Sequence, residues 1–183
     1  MKNRLLRISM AAALALGVGS VVAVAAAPSG AAAPVQKCTH LTGSATLSPG
    51  INNTARTQTA KATGKLSGCT PASGKTGGSG TLSATLKITK GNCTNLAKGG
   101  QHFTGNAKTV WKNKKTSTYA LTFTTGKGKT ATVATITGRV SAGLFAGHKV
   151  TGGVKFTVKK GQNCLTVPVK NLTFVQTKAF QIA

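Results

Sequence analysis

Apolar and polar residues alternate in run after run along this chain, and that alternation constrains its fold more than any other feature. Leu41, Gly43, Ala45 and Leu47 alternate with Thr42, Ser44 and Thr46. Leu82, Ala84, Leu86 and Ile88 alternate with Ser83, Thr85, Lys87 and Thr89. The same holds around Tyr119, Leu121 and Phe123, and again around Val154, Phe156 and Val158. Successive side chains of a strand point to opposite faces, so a period of two means one buried face and one wet face, as in antiparallel sheets. Threonine and valine favour strands, and Gly, Asn and Lys fill the gaps between the runs. No window carries an amphipathic helical stripe of useful length.

The runs predict about eight strands, near 40–47, 56–68, 80–90, 102–112, 117–125, 130–140, 148–159 and 164–178. Ser48-Pro49-Gly50, Asn113-Lys114-Lys115-Thr116 and Gly126-Lys127-Gly128-Lys129 read as hairpin connections. In the last run Leu165, Val167 and Val169 share one parity and Leu172 and Phe174 the other, which calls for a bulge near Lys170-Asn171. Pro168 then belongs at an edge or a bulge. The expected fold is all-β: a single antiparallel β-sandwich or open barrel of about eight strands. Trp111, Tyr119 and Phe123 alternate with small residues and read as core. With six Phe, one Trp and one Tyr the core is thin in aromatics, so disulfides worth roughly 2–4 kcal/mol each would matter.

Residues 1–26 read as a secretory signal: Lys2, Arg4 and Arg7 precede an apolar stretch from Ile8 to Ala27 that ends in small residues. Residues 27–37 form a short Ala/Pro linker, and 38–183 a single exported β-domain, secreted or associated with the cell wall. Cys38, Cys69, Cys93 and Cys164 are an even set without Cys-x-x-Cys spacing, which points to two disulfides and not to a metal site. A hairpin joining 40–47 to 56–68 brings Cys38 near Cys69, favouring Cys38–Cys69 with Cys93–Cys164. The main alternative is Cys38–Cys164 with Cys69–Cys93.

Four phrases span most of the domain: Gly43-Ser44-Ala45-Thr46-Leu47-Ser48-Pro49-Gly50, Gly64-Lys65-Leu66-Ser67-Gly68-Cys69, Val110-Trp111 followed by Thr116-Ser117-Thr118, and Gly143-Leu144-Phe145-Ala146-Gly147. In these the chain resembles a group of small secreted β-proteins of high-GC Gram-positive bacteria. The resemblance implies a β-fold with paired cysteines in an exported protein, and brings no activity and no catalytic residues. Members of the group usually carry acidic residues in the turns after the Trp and after the Phe-Ala-Gly phrase. Here Lys112 and His148 stand there, so charge is what distinguishes this member.

That charge is one-sided. The chain has 24 Lys and Arg, no Asp, no Glu, and a formal net charge of +24. Carboxylate pairs for glycoside hydrolysis, an acid to orient a catalytic histidine, and carboxylate oxygens for calcium or magnesium are therefore all missing. His40, His102 and His148 lie far apart in sequence, without ligand spacing. The expectation is a non-catalytic domain with no metal and no cofactor.

A surface rich in lysine and free of acids attracts polyanions, through counterion release and long-range steering. The densest spots are Lys112, Lys114 and Lys115, then Lys127 and Lys129, then Lys155, Lys159 and Lys160. These are the candidate polyanion-binding residues. Wall polymers or anionic lipid surfaces rank above nucleic acid as partners, because Arg56 and Arg139 are the only arginines after the signal and base readout favours Arg forks and exposed aromatics. An acidic partner protein is the alternative from another class. Nucleic-acid or antimicrobial surface binding is a further alternative.

Overall fold

The computed structural model describes residues 34–70, 78–128, 132–164 and 166–183. The expected signal segment, residues 27–33 of the linker, Lys129 and Leu165 lie outside the described residues.

Eight strands follow one another: β1 (Gln36–Ile51), β2 (Arg56–Thr70), β3 (Gly80–Gly91), β4 (His102–Trp111), β5 (Thr116–Thr125), β6 (Val133–Gly143), β7 (Lys149–Val158) and β8 (Val169–Ile182). One short helix, α1 (Cys93–Lys98), lies between β3 and β4. Each strand pairs antiparallel with the next, and β8 pairs back on β1. The all-β expectation therefore holds, in the form of a closed barrel rather than a two-sheet sandwich or an open barrel. Closure pairs the outer sides of β1 and β8, which would otherwise present unsatisfied N–H and C=O groups.

Three local features differ from the sequence reading. Ser48-Pro49-Gly50 does not reverse the chain. β1 runs through it to Ile51, and the reversal comes at 52–55, where Asn52 Oδ1 accepts a hydrogen bond from Thr54 N at 3.0 Å. Gly50 takes a φ of 102° and its N–H donates to Gln58 Oε1 at 2.9 Å, so the Pro-Gly pair makes a kink within the strand. The register of β1 on β8 shifts there, between Thr46 and Ile51. Second, Gln36 and Lys37 of the expected linker belong to β1. Third, α1 was not anticipated. It is capped by Asn92, whose Oδ1 accepts from Asn95 N at 2.7 Å, and it ends at Gly99 with φ 70°.

Cys38 and Cys69 face each other in the β1–β2 register and are bonded, and Cys93 is bonded to Cys164. The pairing favoured by the hairpin argument is the one found. The parity reversal expected near Lys170-Asn171 is present, since Val169 and Leu172 both face the interior, but the strand expected from residue 164 begins only at Val169 and Val167 lies exposed in the loop before it.

Candidate functional site

The up-and-down order sends alternate strand ends to opposite rims. The upper rim carries the β1–β2 turn, α1, the ends Thr125 and Val133, and the β7–β8 loop. The lower rim carries the ends Thr70 and Gly80, the β4–β5 turn, the β6–β7 turn and Ile182. The interior differs between the two halves.

The lower half is solid. Trp111 is buried, its Nε1 donating to Ser117 Oγ at 2.8 Å, and Ser117 Oγ in turn donates to Leu144 O. Phe145 meets Trp111 edge-on, with ring centroids 5.9 Å apart. Two of the phrases noted in the sequence thus meet in space and plug this end. Above them the Tyr119 ring packs edge-on against Phe180 at 6.0 Å, inside a shell that includes Val140, Val150 and Ile182. Tyr119 Oη has no partner in hydrogen-bonding geometry. Burial pushes its pKa up from 10.0 to about 12, and the nearby Thr109 and Ser117 hydroxyls pull back only in part.

The upper half is hollow. A cavity of about 280 Å³ extends from Leu41, Leu82 and Leu121 at mid-barrel up to α1. Small side chains make the room: Ala45, Ala60, Ala62 and Ala84 all line it. The Phe174 ring lies against the paired Gly43 and Gly64, where a Cβ on Gly43 would collide with it. Leu96 and Ala97 of α1, with the Cys93–Cys164 disulfide, form the roof. Among the described lining residues Thr125 and Thr132 alone carry a hydroxyl, and none is charged. Ala97, Thr132 and Val158 line the cavity and are also exposed, so they mark its mouth. Such a chamber can take an apolar group by excluding water from it.

Outside, every described lysine and arginine is exposed. The lysines singled out by density do not form one surface. Lys112, Lys114 and Lys115 sit on the lower rim, while Lys127, Lys159 and Lys160 sit on the upper rim and Lys155 on the upper part of β7. Lys90, Lys98 and Lys170 join the upper group, and Lys37 and Lys149 the lower. Both described arginines are tied to backbone: Arg139 Nη1 donates to Gly147 O at 2.9 Å, and Arg56 Nη2 to Gly50 O at 3.5 Å.

The histidines do not converge on one site. His40 lies on the lower part of β1 beside Thr39, His102 starts β4 at the upper rim beside Thr124, and His148 is in the β6–β7 turn. Among the described residues no three of His, Cys, Asp or Glu gather around a common point.

Sequence reasoning missed the cavity and its roof. A signal for the roof was present: Asn92 three residues before Asn95, with Gly99-Gly100 just after, is a cap-to-cap pattern around a single helical turn or two. No family model, no curated protein and no solved structure matches this chain.

Proposed function

We propose that this is an exported, non-catalytic cationic barrel that associates electrostatically with anionic polymers of the cell envelope or its surroundings. One observation carries the reading: all described lysines and arginines are exposed, on a chain with no carboxylate side chain to neutralise them. Two disulfides agree with an oxidising compartment, where such bonds persist.

The spread of the lysines favours a polymer over a single acidic protein. A protein partner would cover one face, whereas lysines on both rims and on the wall suit a chain that wraps or several chains that meet the barrel from different sides. Lysine acts as a point charge, which suits phosphates without selecting a base. With both described arginines held by carbonyls and Trp111 and Tyr119 buried, nucleic-acid readout is the weaker reading.

The test is a titration of the mature, oxidised protein against anionic wall polymer, anionic vesicles and duplex DNA, at low and at physiological salt. The expected result is affinity that rises with polymer length and falls linearly on a log–log salt plot, by roughly 0.7–0.9 per phosphate neutralised, with the wall polymer or the vesicles still bound at physiological salt. Loss of all three at physiological salt, or stoichiometric capture of an acidic protein instead, overturns it.

A further inference from the structure

The cationic coat does not account for the hollow upper half. Eight-stranded barrels have an interior just wide enough for side chains to fill, or to hold one small ligand. This barrel does both, filling its lower half with Trp111, Tyr119 and Phe180 and leaving about 280 Å³ above them. Protein interiors pack with few voids larger than a water molecule, and an apolar cavity of about 150 Å³ already holds benzene. A void near twice that size, walled by alanines on three neighbouring strands, is a binding chamber in both scale and lining.

The rim around its mouth adds a second property. Lys98 follows Ala97, Lys159 follows Val158, and Lys127 pairs with Gly99 at the end of α1. Lys160 and Lys90 lie on the same rim. No acid exists anywhere to balance them. A molecule seated in the chamber would thus have an apolar body among leucines and alanines and one end among ammonium groups.

We propose that the upper chamber binds a medium-length alkyl chain bearing an anionic head, of the fatty-carboxylate class, with the chain inside and the head at the lysines around Ala97, Thr132 and Val158. An apolar cavity of about 150 Å³ holds the six carbons of benzene, so about 280 Å³ on the same scale holds a chain of roughly ten carbons.

The experiment is a calorimetric titration of the oxidised protein with hexanoate, octanoate, decanoate and dodecanoate, and with decyltrimethylammonium as the opposite head on a decyl chain. Saturable one-to-one binding is expected, gaining about fourfold in affinity per buried methylene and levelling off once the chain exceeds roughly ten carbons. The trimethylammonium head should bind at least tenfold more weakly than decanoate. Two variants locate the site. Ala84→Leu fills the chamber from its wall, and Val158→Trp blocks the exposed mouth without touching the packed core. Each should cut decanoate affinity at least tenfold while leaving wall-polymer binding unchanged. If Ala84→Leu fails to fold, Val158→Trp alone decides. Affinity that does not depend on chain length, or that survives Val158→Trp, overturns the chamber as the site. Equal binding of the two decyl compounds overturns the anionic head.

Discussion

Tyr119→Phe should make this protein more resistant to alkali, and the size of the effect follows from where the hydroxyl lies. Tyr119 is fully buried in the lower half, its ring held edge-on by Phe180. Its pKa is raised from 10.0 to about 12, chiefly because ionisation would place a charge in a desolvated site. Below about pH 10 the hydroxyl is neutral in both the folded and the unfolded chain, and stability is untouched. Above that, the unfolded chain releases the proton first, so stability drains away until the folded state ionises as well. One pKa unit is about 1.4 kcal/mol, so the loss between about pH 10 and 12 reaches about 3 kcal/mol. Phenylalanine keeps the ring contact and cannot ionise. Every other titrating group is common to the two proteins and cancels in the comparison. The assay is the urea midpoint of both proteins at intervals from about pH 8 to 12, with tyrosinate absorbance followed alongside. Tyr119 is the sole tyrosine, so that absorbance reports this site alone. Tyrosinate appearing near pH 10 in the folded protein, or parallel stability curves for the two proteins, would refute the reasoning.

The missing carboxylates predict a second response: the melting temperature should hardly move between about pH 3 and 6, histidine protonation aside, because acid denaturation works mainly by protonating native carboxylates. A collapse near pH 4 in a thermal scan would contradict this. Added salt should raise the melting temperature, since like charges over the surface repel and salt screens them over roughly 8–10 Å, and binding anions should raise it further. A flat or falling melting temperature in a chloride series would show the lysines too well separated to repel. Ser117→Ala should cost about 1–3 kcal/mol in chemical denaturation, because it strands the buried Trp111 indole N–H and removes the donor to Leu144 O. A value near zero would mean that another group takes up the indole proton.

The strands were legible because a half-buried strand writes its period into the sequence, and the cysteine pairing followed from the hairpin that β1 and β2 form. Closure was not legible. Pairing Gln36 with Ile182 and Gly43 with Phe174 joins residues from opposite ends of the domain, and nothing local in either strand announces its partner. The hollow was not legible either. Alternation says that Ala60, Ala84 and Leu86 point inward, but not whether the side chains they face come close enough to touch them. That the lysine spots lie on opposite rims was not legible for a geometric reason. Lys115 and Lys127 are close in sequence, but the ten residues of β5 lie between them, about 33 Å of strand path, and carry them to opposite rims. In an up-and-down barrel, charges separated by one strand length end up as far apart as the fold allows.

The pairing of β8 with β1 also shapes how the molecule must form. Seven of the eight strand junctions join neighbours in the chain and can zip as hairpins or short connections. The eighth is a seam between the first strand and the last. Until it shuts, β1 and β8 each offer an open edge to any other unfolded copy, and the apolar chamber has only part of its wall. Sealing the seam is therefore the step that turns a sticky curled sheet into a ring. Folding should be slow relative to helical domains of this size, as expected when the decisive contacts are the most distant in sequence.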